Sequence, residues 1–329
     1  MIGTLELGLI YGVMALGVYL TFRILNFPDL TVDGSFTTGA AVGAGLTILG
    51  WNPAVATLVA VAAGAAAGCI TGLLHTFGRI DGLLAGILTM IALWSINLRI
   101  MGTSNLSLLR EETTFTPLRE AGIMGTWGSV GLMLAGVLVL KLVVDWFLST
   151  DLGLSIQATG NNQQMIRALG VNTNATTILT LAISNGFVAG CGALIAQYQG
   201  FADISMGIGL ILVGLASVIL GQALFGNSSV FLATVGVIVG AVLYRLVIFA
   251  ALSVGLDPND MKLISAVLVV IALLLPMIPG FSRLQVIGSW RKPPPEKSVV
   301  TEKLPVPAGA GAAAPSARSG TTTGGDANA

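Results

Sequence analysis

The 329-residue chain is 54% apolar and 9% charged, with 15 acidic and 15 basic residues. Zero net charge leaves no basic footprint for nucleic acid, so no nucleic-acid partner is expected. One histidine, His75, and two cysteines inside apolar runs, Cys69 and Cys191, argue against a metal centre or a disulfide framework.

The apolar residues come in long runs. Gly34–Gly78 and Ile204–Tyr244 contain no Asp, Glu, Lys or Arg. An ionised side chain at mid-bilayer costs ~2.5 kcal/mol or more, so runs of this kind predict an all-α polytopic membrane protein. With ~20 apolar residues per crossing, nine spans are expected, at 2–22, 34–50, 53–77, 83–101, 127–148, 174–196, 206–224, 229–251 and 263–280. The first run carries Glu6 but no basic leader or small-residue cleavage site, and reads as a retained span. The second is short and Gly-rich, which suits a kinked or partly re-entrant segment. Asn52-Pro53 is a tight break before the third. Small-xxx-small ladders (Gly64, Gly68 and Gly72; Gly39 and Gly43; Gly186 and Gly190; Gly236 and Gly240) predict close helix packing.

Basic residues near span ends set the orientation. One set of alternate loops holds Arg23, Arg79, Arg167, Arg283, Arg291 and Lys292; the other holds Arg110, Arg119 and Lys262. This bias puts the 151–173 loop and the C-terminus in the cytoplasm, with the N-terminus and the 102–126 loop outside. The chain divides at 283 into a membrane domain, 1–283, and a tail, 284–329. The tail is rich in Pro, Ala, Gly, Ser and Thr and is expected to be a disordered cytoplasmic segment.

A short repeat points to inverted symmetry. Phe27-Pro28-Asp29-Leu30-Thr31 and Phe201-Ala202-Asp203-Ile204-Ser205 share the pattern Phe-x-Asp-aliphatic-hydroxyl at an offset of 174 residues. Five spans separate the copies, so they run in opposite senses, as in many transporters. Asp29, Asp33 and Asp203 fall where helices should start, and capping is the plainest role for them. The rival role is to line a solute path with Asn26, Asn97 and Asn185. Near the span ends, Glu6, Arg99 and Arg245 read as snorkelling side chains, or as a gate or docking ring. Lys141 and Asp145, four apart, read as a self-neutralising pair. The mixed-charge loop 102–126 is either solvated or a landing surface for a partner.

The polar island at 151–173 is the most informative cytoplasmic segment. Gly160-Asn161 signals a turn and cap, and helical spacing follows from Asn161 to Leu169, ended by Gly170. Met165, Ala168 and Leu169 share one face. The predicted knob is therefore Asn161, Asn162, Gln163, Gln164, Met165, Ile166, Arg167, Ala168, Leu169 and Gly170.

Ala158-Thr159-Gly160-Asn161-Asn162 and Ala168-Leu169-Gly170-Val171-Asn172 resemble the coupling segment of ABC-importer permeases of the branched-chain amino acid type. Leu25-Asn26-Phe27 and Gly39-Ala40 resemble the same family. Leu25 through Phe36, with Leu88-Thr89-Met90 and Ser95 through Gly102, resembles its tryptophan/tyrosine uptake subgroup. The resemblance covers residues 1–285 and leaves out the tail. It implies a permease dimer, expected here as a homodimer, in a bacterial inner membrane. Two cytoplasmic ATPase subunits would drive it, and an extracytoplasmic solute-binding protein would feed it. The family's fold consists of inverted five-helix halves, one helix more than this chain's nine spans supply. The chain has no Gly-x-x-x-x-Gly-Lys-Ser/Thr loop, so it is expected to be no enzyme and to bind no cofactor; ATP and Mg belong to the partner subunit. The competing class is an ion-driven secondary transporter, which needs an acidic residue at mid-membrane. The span placement leaves none there, and it leaves a membrane-embedded enzyme without a catalytic cluster.

Overall fold

The computed structural model describes residues 1–226, 229–255 and 261–274. Helices dominate. α1 (Ile2–Tyr19) continues as a π-helix, Leu20–Ile24, and is followed by α2 (Thr31–Ile48), α3 (Pro53–Thr76) and α4 (Gly82–Met101). A short strand β1 (Asn105–Ser107) and α5 (Thr116–Glu120) precede α6 (Trp127–Ser149). Then come α7 (Asp151–Asn161), α8 (Gln163–Ala168) and α9 (Thr173–Gln199). Strand β2 (Phe201–Asp203), α10 (Leu210–Phe225), α11 (Val230–Ser253) and α12 (Met261–Leu274) complete the order.

Among the described residues, six helices are long and apolar enough to cross a membrane: Ile2–Ile24, α3, α4, α6, α9 and α11. The chain is thus a multi-pass α-helical membrane protein. α2 is shorter and carries six hydroxyl or acidic side chains, and α10 has 16 residues. The seventh expected span starts later than the sequence suggested, because Ser205–Gly209 is spent on turns before α10. The ninth is described only to Leu274; its remainder and the 284–329 tail lie outside the described residues.

Local chemistry sets the helix starts. Asn52 accepts from the Ala54 amide at 2.9 Å with Pro53 at the first helical position, so the predicted break is an N-cap. Asp81 caps α4 through Leu83, and Asn172 caps α9 through Asn174 and Ala175. Gly102 and Gly200 end α4 and α9 in the left-handed region, at φ +68° and +80°.

Ile2–Ile24 and α9 are the inner helices, with 83% and 72% of their most apolar windows buried. The glycine ladders bring backbones together as predicted. A methyl added to Gly64 or Gly68 of α3 would collide with the Asn185 or Leu181 carbonyl of α9. One on Gly39 of α2 would meet the Ala189 carbonyl. Gly236 and Gly240 do the same for α11 against α10. With no water between helices, such close packing supplies the association energy that hydrophobic burial supplies in water.

Gly68→Leu is expected to force α3 and α9 apart at a cost of ~1–3 kcal/mol or more. Gly186→Ala, whose new methyl would meet nothing nearer than 3.4 Å, should be tolerated. Thermal melting of the two purified variants in one detergent checks this: equal midpoints would contradict the packing account.

Candidate functional site: a polar break within the helix bundle and an exposed knob at one end

The break begins where α1 ends. The Leu25 amide donates to the Leu20 carbonyl and Phe27 to Thr21, so the π-helix closes with wide turns. Asn26 takes the left-handed conformation at φ +57° and reverses the chain. Phe27 then packs edge-on against His75 at 5.0 Å, and Asp29 turns inward.

Asp29 is fully buried. One oxygen accepts from the Thr31 amide at 2.9 Å and the other from Asn185 Nδ2 at 2.7 Å. Asn185 is near the middle of the 27-residue α9, and its carbonyl faces Gly64, near the middle of the 24-residue α3. This corrects the expectation that carboxylates stay at span edges: chain reversal after the π-helix carries Asp29 deep into the bundle.

Asp33, in the first turn of α2, does not cap its own helix. Its two oxygens accept from Gly209 and Ile211, each at 2.8 Å, at the start of α10. Thr37 adds a bond from the Gly207 amide at 3.1 Å. The beginnings of α2 and α10 therefore meet inside the bundle, with a carboxylate on amides that have no partner within their own helix.

Beside this junction lies a cavity of about 380 Å³ between α2, α4 and the turns before α10. Asp33, Thr37, Ser95 and Asn97 supply its polar atoms; Trp94 and Ile208 contribute to its apolar wall. Asn97 is fully buried. Its Nδ2 donates to the Gly34 carbonyl at 3.4 Å, and its Oδ1 has no hydrogen-bond partner. The cavity thus offers acceptors next to a flat apolar surface.

The six residues proposed for a solute path separate. Asp33 and Asn97 share the cavity. Asp29 and Asn185 bond to each other deep in the bundle. Asn26 lines a different cavity of about 430 Å³ with Gln157 and Asn161, beside the π-helix. Asp203 lies at the opposite end, in β2, where it caps Ser205 at 2.8 Å and accepts from Asn105 Nδ2 at 3.3 Å. β1 pairs antiparallel with β2, placing Asn105 opposite Asp203. Partial desolvation pushes the Asp203 carboxyl up, but the Ser205 and Asn105 bonds outweigh it and hold the group below its usual range.

Glu6 is 1% exposed and does not snorkel. It accepts from the Ser129 hydroxyl, the Gly125 amide at 3.1 Å and the Tyr198 hydroxyl at 2.6 Å. Arg119 donates to the Tyr198 carbonyl and Thr114 to Gln197, so the 102–126 loop is fastened to the ends of α1 and α9. Lys141 and Asp145 form the expected pair at 2.5 Å, with Lys141 over the Phe231 ring and Thr234 donating to Asp145.

The polar island differs in one respect from its expected form. Gly160 and Asn161 belong to the end of α7, where Gly160 packs against the Ile24 carbonyl. Asn162 is the break and cap, at φ −155° and ψ 92°, and accepts from the Met165 amide at 3.0 Å. The helix predicted over 161–169 is therefore the six-residue α8, and α7, before it, is a helix the sequence reading did not place. Ile166 is buried, while Met165 and Leu169 are 55% and 71% exposed. Gly170, at φ +89°, ends the turn as predicted. Arg167 bonds to Thr173 and Asn174, which ties the knob to the start of α9.

Trp94 and Thr37 escaped the sequence reading. Trp94 is three residues before Asn97 on α4, a helical spacing that puts both on one face. The Glu6 cluster joins residues more than a hundred positions apart and left no local signal.

Spanning helices, a polar break with an adjoining cavity and an exposed knob describe a multi-pass membrane transport permease. Residues 1–274 match the family model described as the permease component of the branched-chain amino acid transport system, and the chain belongs to that family. It is 43% identical over 269 residues to a tyrosine transport system permease protein of Clostridioides difficile (strain R20291), covering 82% of this chain and 88% of that one. An uncharacterized protein of Rickettsia prowazekii (strain Madrid E) is 36% identical over 83% of this chain and 96% of its own. The ribose import permease protein RbsC of Escherichia coli (strain K12) is 25% identical over 80% and 81%. No solved structure matches.

Asp33→Ala should leave the Gly209 and Ile211 amides unpaired, at ~1–3 kcal/mol for each buried group, and Asp33→Asn should cost less. Melting midpoints ordered wild type, Asn, Ala check this; an unchanged Ala variant would refute it. For Asp203, a lowered carboxyl contributes stability above the ordinary carboxylate range and loses it as pH falls through the lowered value. Protection factors at the β1–β2 pairing, corrected for the intrinsic pH dependence of exchange, should therefore fall only on acidification below that range, and Asp203→Asn should abolish the dependence.

Proposed function

We propose that this chain is the membrane subunit of an ATP-driven importer in a bacterial inner membrane, passing a small solute, an amino acid, to the cytoplasm. The observation that carries this reading is α8. It is a six-residue helix between α7 and α9, held by Arg167, with bulky apolar side chains exposed on it and at its C-cap, Met165 and Leu169. An exposed Met and Leu on a fixed element suit a groove on a separate engine. The chain carries no phosphate-binding loop, so ATP and Mg would sit on that ATPase partner.

The clasped 102–126 loop at the other end suits an extracytoplasmic binding protein. A second copy of this chain would complete the path, and the tail would be cytoplasmic. The tyrosine permease among its relatives, and the Trp94 wall beside Asp33 and Asn97, favour an aromatic amino acid.

Inverted repeats and nine spans belong to the same reading. The offset of 174 carries the starts of α1, α2, α3 and α4 to 176, 205, 227 and 256, each within five residues of the starts of α9, α10, α11 and α12. Asp29 and Asp203, related by that offset, cap Thr31 and Ser205 with the same bond, at 2.9 and 2.8 Å.

One observation favours an ion-driven secondary transporter: Asp29 lies deep in the bundle and receives only neutral donors. Uphill uptake by the chain reconstituted alone on a proton or sodium gradient would establish that class and remove the importer reading.

Replacing Met165 and Leu169 together with Glu should uncouple uptake from ATP hydrolysis while leaving membrane insertion and melting midpoint unchanged. Uptake in cells that hold the partner subunits should fall at least ~10-fold, the effect of desolvating a charge against an apolar groove. Wild-type uptake in that double variant would remove α8 from the mechanism.

A further inference from the structure

Arg245 has no role so far. It lies in α11, eight residues before its last residue Ser253, or roughly 12 Å inside that end at 1.5 Å per residue. A snorkelling arginine would reach outward to the interface. This one turns inward: its guanidinium lies 3.8 Å from the ring centroid of Tyr11, a residue of α1 that is 6% exposed. Its Nε is buried without a hydrogen-bond partner.

The guanidinium faces a cavity of about 320 Å³, bounded by Tyr11, Tyr244, Ser265 and the Ile208–Leu210 turn. Tyr244 donates to Ser265 at 2.7 Å, which fixes the far wall. The other side of the same turn is the Asp33 and Asn97 cavity, and Ile208 lines both. The α10 amides that might have held an anion are already taken by Asp33. The cation available here is therefore Arg245.

We infer that Arg245, stacked on Tyr11, is the binding group for the solute's carboxylate. A ring beneath the guanidinium holds its plane and leaves the N–H edge for a carboxylate, whose two oxygens match that fork. The cavity across the turn holds the free Asn97 oxygen, and its Asp33 oxygens are already engaged by the α10 amides. This inference rests on the amino acid permease reading and adds the group that recognises the acid end.

The test uses the purified full chain in phosphatidylcholine nanodiscs, free of anionic lipid. Phenylglyoxal labelling of Arg245, read by peptide mass spectrometry, should slow about fivefold or more with saturating L-tryptophan or L-leucine. It should be unaffected by tryptamine, which lacks the carboxylate. Equal labelling with and without both amino acids overturns the assignment, and so does protection that appears only when phosphatidylglycerol is added, since the cation then serves a lipid phosphate.

In cells with the partner subunits, Arg245→Met should lower L-tryptophan uptake about 30-fold or more, the effect of removing one member of a buried charge pair, and Arg245→Lys should retain part of it. Unchanged uptake by Arg245→Met, with uncoupling by the Met165 and Leu169 variant intact, would remove this subsite and leave the permease reading standing. The labelling of wild-type protein decides the matter even if Arg245→Met fails to insert.

Discussion

The structure depends on how a helix can begin inside a bilayer. Every helix start leaves amides without partners, and hydrocarbon offers no water to satisfy them. α10 begins inside the bundle, and Asp33 reaches across from α2 to take two of its amides. The charge that would be costly alone is offset by the positive end of the helix it caps. A broken segment can then lie in the interior, and beside it the chain leaves a cavity rather than a packed core. Asp29 uses the same device within its own segment, with Asn185 as the second donor.

The break would be of little use in a soft scaffold. Gly64 and Gly68 set α3 directly on the backbone of α9, and Gly39 does so for α2. Three helices in backbone contact move together or not at all, because such interfaces do not deform continuously. α9 is also the helix to which Arg167 ties α8, and its other end carries Tyr198, a partner of Glu6. A force on the exposed knob therefore acts on a helix that runs past Asn185 and ends at the clasped loop. The Gly160 contact with the Ile24 carbonyl gives the same knob a second connection, to the π-helix that leads into Asp29.

Much of this was legible in the sequence because membrane chemistry is severe. Charge-free runs gave the helices, and Asn52-Pro53 and Gly170 gave boundaries that hold to within a residue or two. The ladder of Gly64, Gly68 and Gly72 announced the closest packing. What failed did so for identifiable reasons. Asp33 reads locally as a cap for α2, since nothing in sequence shows that the start of α10 lies nearer. Glu6 looks like an interfacial charge until Ser129 and Tyr198 are brought to it. The knob was started too early because Asn161 and Asn162 are equally good caps; the cap is Asn162, since Gly160 and Asn161 end α7, where Gly160 packs against Ile24. β1 and β2 are three residues each, too short for any alternation to register.

Charges in the interior sort by what faces them. Lys141 and Asp145 pair on one helix, with Thr234 donating to Asp145 and Lys141 over the Phe231 ring. Asp33 is committed to backbone amides. Arg245 is stacked but keeps donors on its edge, and Asn97 keeps an unused acceptor. Leaving polar atoms unsatisfied in a membrane interior is costly, and a chain that packs its backbones this closely elsewhere has the means to avoid it. Those two groups flank one turn, and that turn is held to α2 by the same carboxylate that permits the break. Displacing Ile208 would join the two cavities, and it would do so at the point where α2 and α10 separate.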